Sequence, residues 1–204
     1  MANTGSSRND SYRATGRAAM VAYERNPARH ADQAPYDRPM AAGRVALNTY
    51  FDDERETTID MDRTIQGQRL IRSVGRAAHD AYHAIFDELP EDDEYDRAAD
   101  YLAALIAVGN NVGVRNDPSV VAARTAIESA TARGARINKD AYIDALTAAI
   151  ISAAYIAAGK ASIDAYHSSR NKTAAASERA GRHSRRKTKL RKRKRYIRTS
   201  KLIK

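Results

Sequence analysis

The sequence predicts an all-α fold, a four-helix-type bundle with a loosely structured N-terminal segment and a basic C-terminal tail. Three observations carry this. Apolar residues recur at three- and four-residue steps between residues 57 and 169, and no strand-like alternation of any length interrupts them. Ala and Arg, which lose little side-chain freedom in a helix, are abundant. Helix-start and helix-stop residues punctuate the same stretches. The chain is expected to divide at 1–56, 57–169 and 170–204.

Within the first segment, Pro27, Pro35 and Pro39 are expected to break any long helix, leaving short ones near Ser11–Arg25 and Met40–Phe51. Between Leu70 and Leu89 an amphipathic helix is predicted. Leu70, Ile71, Val74, Ala78, Tyr82, Ile85 and Phe86 form its apolar stripe, and Pro90 ends it. A second helix opens on the acidic run 91–94, which suits the positive end of a helix dipole. It is expected to bury Tyr95, Ala98, Leu102, Leu105 and Ile106 before stopping at Gly109. Asp117 and Pro118 read as cap and first-turn residue of a third helix, ending at Gly134. Asn138 is the expected cap of the fourth, with Ile137 and Tyr142 as a hydrophobic staple. That helix runs to about Ser169, with large apolar residues on most sides, as an enclosed helix would have. The polar, small-residue stretch after Arg170 reads as a linker.

Bulk composition narrows the chemistry. There is no cysteine, which excludes disulfides and thiolate metal sites. The first 13 residues hold no apolar run of signal-peptide type. The longest uncharged run, 145–159, falls short of the ~20 residues that cross a bilayer. An intracellular setting is therefore expected, in cytoplasm or nucleoid or inside a virus particle, with no membrane span.

The phrase GRAAHDAYH at 75–83 returns as GKASIDAYH at 159–167 and more loosely as GRAAMVAYE at 16–24. Asp80 with His83, and Asp164 with His167, form two acid-x-x-His pairs. Ferritin-like bundles hold a two-metal centre with such pairs, so a metal-binding bundle is the alternative reading, with Asp100 and Glu128 as further ligands. The spacing is all that resembles that family, and Asp stands where the longer Glu is usual. At about 100° per residue, Asp80 lies roughly 160° and His83 roughly 140° from the apolar stripe, facing away from any bundle interior. The expected meaning of the phrase is a small-residue helix contact closed by a half-buried tyrosine. His79 and His83 also make an HxxxH pair, but Asp80 replaces the Glu base of zinc proteases and no third ligand is evident. They read as surface histidines.

On that outer face Arg69, Arg72, Arg76, His79 and His83 form a basic ridge that could rest on phosphates, though a solvated helix face is the favoured expectation. Acidic clusters at 52–56, 60–62 and 91–94 match no nuclease or polymerase arrangement and read as helix-start and solubility features. Without a phosphate loop or a Ser-His-Asp spacing, the sequence does not support an enzyme; no catalytic residue, cofactor or metal ligand is assigned.

Charge segregation is the most informative feature. Residues 182–204 carry 13 Lys or Arg among 23 residues and no Asp or Glu, whereas residues 1–181 carry 22 basic against 25 acidic side chains. So dense a cationic run cannot enter a core, and self-repulsion is expected to keep it extended until a polyanion relieves it, when the faint amphipathic character of Leu190, Ile197, Leu202 and Ile203 favours a helix. Engaging ~8 phosphates would give a log–log salt slope near −7. The expected phosphate-binding residues are Arg182, Arg185, Arg186, Lys187, Lys189, Arg191, Lys192, Arg193, Lys194, Arg195, Arg198, Lys201 and Lys204, with Tyr196 available to stack on an unpaired base. An anionic membrane surface, nuclear import through KLRKRKR, an acidic protein partner and plain solubilisation compete with DNA or RNA. The favoured expectation is a non-enzymatic nucleic-acid-binding bundle that forms homo-oligomers in an architectural, packaging or particle-assembly role.

Overall fold

The structure is a computed structural model; it describes residues 4–25, 34–51, 64–91, 97–111, 113–133 and 139–200, with side chains at 8–25, 38–51, 64–91, 97–111, 113–133 and 139–176. The described residues form helices and turns without a strand. The helices are α1 (Thr4–Arg25), α2 (Ala34–Tyr50), α3 (Ile65–Phe86), α4 (Ala98–Gly109), α5 (Pro118–Ala132) and α6 (Lys139–Ser200).

Local chemistry explains the helix ends. The Thr64 side chain accepts a hydrogen bond from the Gly67 amide at 3.0 Å and so starts α3 five residues before the expected point. The helix closes at Phe86, before Pro90, where the Asp87 amide donates back to the His83 carbonyl. Asp117 caps α5 as predicted, accepting from the amides of Ser119 and Val120, with Pro118 in the first turn. Helix α4 is described from Ala98, which is exposed; Leu102 and Leu105 are buried and Ile106 partly so. Tyr95, most of the acidic run before it and the predicted cap Asn138 lie outside the described residues.

The N-terminal segment is not loose where it is described. Ala19 and Met20 of α1 and Ala42, Ala46 and Leu47 of α2 join Ile71, Val74, Ala78 and Tyr82 of α3 and Leu146, Ile150, Ala154 and Ala158 of α6 in one apolar core. The prolines do not prevent this. Pro35 falls in the first turn of α2, where the missing N–H has no intrahelical partner. Pro39 sits inside α2 and forfeits one backbone bond there. Burial of α2 against its neighbours offsets that loss, since each fully buried Leu or Met contributes roughly 1.5–3 kcal/mol.

Two helix crossings organise this core. A Cβ on Gly43 would fall inside the Ile71 carbonyl oxygen, and one on Gly75 inside that of Pro39, so α2 and α3 touch through their backbones. Gly16 and Gly159 do the same for α1 and α6, against the carbonyls of Tyr155 and Tyr12. These four glycines open one recurring phrase. Each is followed by a cation (Arg17, Arg44, Arg76, Lys160), by a fully buried Ala or Ser two residues later (Ala19, Ala46, Ala78, Ser162), and by tyrosine at the seventh place (Tyr23, Tyr50, Tyr82, Tyr166). The copy at 43–50, GRVALNTY, keeps the glycine, the cation, the buried alanine and the tyrosine of the phrase but little else.

Helix α6 corrects the tail. Its 62 residues continue through the expected linker and on to Ser200. The stretch 170–200 has no proline, a single glycine, and many Ala, Arg and Lys, all good helix formers, so propensity prevails over the repulsion expected to keep it extended. By internal contacts the chain forms two compact units, Met1–Tyr166 and His167–Lys204. Within the first, Ala149, Ala153, Ala154 and Ala158 of α6 are buried. By length and composition the stretch Lys139–Ala176 is long and apolar enough to cross a membrane, whereas the expectation of no span considered only uncharged runs. A core helix enclosed by its neighbours has the same composition.

Candidate nucleic-acid interface

Of the predicted phosphate-binding residues, those from Arg182 to Arg198 sit on helical backbone within α6, while Lys201 and Lys204 lie outside the described residues. The backbone places them at register positions all round the helix, because cations recur at steps of one to three residues. No side chain beyond Ala176 is described.

The outer face of α3 separates into two parts. Toward its C-terminal end the histidines are part-exposed at the surface and packed against neighbouring rings. The Tyr23 and His79 rings lie 4.4 Å apart and those of His79 and His83 4.3 Å apart, and His83 meets Phe86 edge-on at 6.3 Å. His83 Nδ1 donates to the Asp87 carboxylate at 2.8 Å, and His79 Nδ1 lies 3.3 Å from Asp80. These rings thus bridge α1 and α3, a role that the spacing of charged residues on α3 alone did not reveal.

Toward the N-terminal end the arginines stand apart from that aromatic row. Arg69, Arg72 and Arg76 line a shallow groove of about 530 Å³ with Ser73, Ala77 and Asp80. Arg69 and Arg76 are exposed. Ser73 is turned inward, its hydroxyl donating to the Leu70 carbonyl at 2.9 Å. Arg69 and Arg76 are therefore the groove's exposed cations, with Asp80 as its one carboxylate.

The acid-x-x-His pairs form no centre. Asp80 is turned to solvent, 79 % exposed, and engages His79, while His83 engages Asp87. Asp164 and His167 are exposed, and among the described residues no group of three or more His, Cys, Asp or Glu side chains could hold a metal ion. Asp100 is exposed at the start of α4, and Glu128 reaches Arg124 at 3.9 Å on α5. Of the acidic clusters, 52–56 and 60–62 lie outside the described residues.

The tyrosine that closes the repeated phrase has a packing role. Tyr82 stacks on Tyr155 with ring centroids 5.1 Å apart, and Tyr50 stacks on Tyr12 at 5.8 Å. Phe51 extends the second pair to Tyr166 at 5.1 Å. Burial, followed by the hydrogen bond to Tyr155, pushes the Tyr82 phenol well above its ordinary value of 10.0. Burial also raises Tyr50, which Tyr12 reinforces and Arg8 opposes. Neutral, hydrogen-bonded phenols of this kind hold helices together. Comparison of the chain with protein-family models, curated proteins and solved structures finds no match in any of them.

Proposed function

We propose that this protein is a non-enzymatic nucleic-acid-binding scaffold, in which the helical core supplies the platform and the cationic end of α6 holds DNA or RNA by its phosphates. One observation carries the reading: 13 cations without a single carboxylate in residues 182–204, set against a body that is slightly acidic. Helical backbone adds a spatial argument. The 11 cations from Arg182 to Arg198 fall within about 24 Å of helix axis, or one per roughly 2 Å. Duplex DNA carries one negative charge per about 1.7 Å, so the two linear charge densities are of the same order.

Such binding releases counterions and reads no base edges, which suits an architectural, packaging or particle-assembly role in a homo-oligomer. The backbone contacts would come from the Arg and Lys residues of 182–204, with Tyr196 for an unpaired base. A mobility-shift series across salt tests the reading, using the full chain and a chain ending at Gly181. The full chain should lose affinity steeply with salt, with a slope near −7 if ~8 phosphates are engaged. Equal binding by the shortened chain would overturn it.

A further inference from the structure

We propose that the groove of Arg69, Arg72 and Arg76 on α3 is a second phosphate-backbone site, so that the protein grips its nucleic acid both at the cationic end of α6 and on the body. The identity of the polymer rests on the reading above; the anion chemistry of the groove rests on its own geometry.

The three arginines follow one another at steps of three and four residues, and so share one face of α3. They flank a shallow, open groove of about 530 Å³ along one face of α3, and no lysine contributes to it. Planar guanidinium forks match phosphate oxygens two at a time, where an ammonium offers only a point charge. From Arg69 to Arg76 the helix rises about 10 Å. A lone phosphate would fill one end of such a groove, whereas a sugar–phosphate chain would run its length.

The platform is rigid. On the opposite face of α3, Ile71, Val74, Gly75 and Ala78 are buried, and Gly75 is locked against the backbone of α2. The donors are thus held on an element that cannot adjust, which lowers the ordering cost of binding. The ion pairs His79–Asp80 and His83–Asp87 of α3 involve neither of the exposed Arg69 and Arg76. Like charges three and four apart repel each other, and an anion in the groove relieves that repulsion.

The test uses the full chain, a duplex and a single-stranded oligonucleotide, and salt from about 50 to 200 mM. The double variant Arg69→Gln, Arg76→Gln should make the log–log salt slope shallower by about 2. The pair Arg69→Lys, Arg76→Lys should keep the slope, since both charges remain, yet bind more weakly through loss of the forks. Asp80→Asn removes the lining carboxylate and should tighten binding. An unchanged slope in a folded glutamine variant overturns the proposal; if the glutamine variant fails to fold, unchanged affinity in a folded Asp80→Asn variant overturns it. Glutamine substitutions at Lys192, Arg193 and Lys194 separate the two sites. If they flatten the slope while the groove variants do not, the tail reading stands without the groove. If only the groove variants act, the reverse holds.

Discussion

Gly43 and Gly75 bring α2 and α3 together with no side chain between them, and either Cβ would collide with a backbone carbonyl of the other helix. Backbone cannot rotate aside as a flexible side chain can, so Gly43→Ala or Gly75→Ala must push the helices apart. Overpacking of this kind typically costs 1–3 kcal/mol, with the larger part of that range expected for a collision with backbone. Gly16→Ala should match it at the other crossing. Gly113→Ala is the control, since a Cβ there meets only Ile85 side-chain atoms at 3.6 and 3.9 Å. Thermal melts should show a fall of several degrees for the three crossing variants and little change for Gly113→Ala. Equal melting temperatures across the set would refute the close approach.

Tyr82 makes stability sensitive to alkali. Its phenol is raised above 10.0 in the folded chain, chiefly by burial and then by Tyr155. An acid whose folded value is raised keeps its full contribution below the unfolded value and loses it as pH climbs. Stability should therefore be flat up to about pH 9 and fall above pH 10. Tyr82→Phe should lower stability at neutral pH by about 1 kcal/mol, for the hydrogen bond, and reduce the alkaline loss. Parallel pH-dependent melts of both chains would contradict the assignment to Tyr82.

The legible part of this molecule was its periodicity. Ile71, Val74, Ala78, Tyr82 and Ile85 are the buried face of α3, as their spacing predicted, and Asp117–Pro118 starts α5. The repeated phrase was correctly read as a helix contact, but only three copies were seen. In the fourth, Val45 and Thr49 replace the alanines that made the others look alike, while Gly43, Arg44 and Tyr50 keep the parts that matter to the crossing. The packing of α1 and α2 was hidden because their burial comes from partners distant in sequence, which local signals such as Pro39 cannot report. The basic ridge was legible as charge, yet its division into an aromatic row and an arginine groove depends on Tyr23, from another helix.

Thr15 is fully buried, and its hydroxyl has no hydrogen-bond partner among the described residues. A desolvated hydroxyl left unpaired costs about 1–3 kcal/mol, which an isosteric methyl would not. Thr15→Val should therefore hold or raise the melting temperature. Ser162 is the contrast, buried as deeply but donating to the Ala158 carbonyl at 3.0 Å. Ser162→Val adds bulk beside the Gly159 crossing and should lower it. A marked loss on Thr15→Val would reveal a partner for that hydroxyl.

The cationic end of α6 balances helix propensity against repulsion. Arg182 and Arg186, Arg185 and Lys189, and Arg191 and Arg195 are four apart, a spacing at which like charges weaken a helix by roughly 0.2–0.5 kcal/mol per pair. Salt screens that repulsion, because the Debye length falls from about 30 Å at 0.01 M to about 10 Å at 0.1 M. The helical signal of the full chain, minus that of a chain ending at Ser169, should therefore grow as salt rises across this range. At low salt a short duplex should produce the same gain, since its phosphates replace the screening ions while the helix forms along them. Far-UV circular dichroism reads both changes. If added duplex left the difference unaltered at low salt while binding still occurred, the polymer would be held without support from the helix, and the match of charge densities along α6 would have no part in recognition.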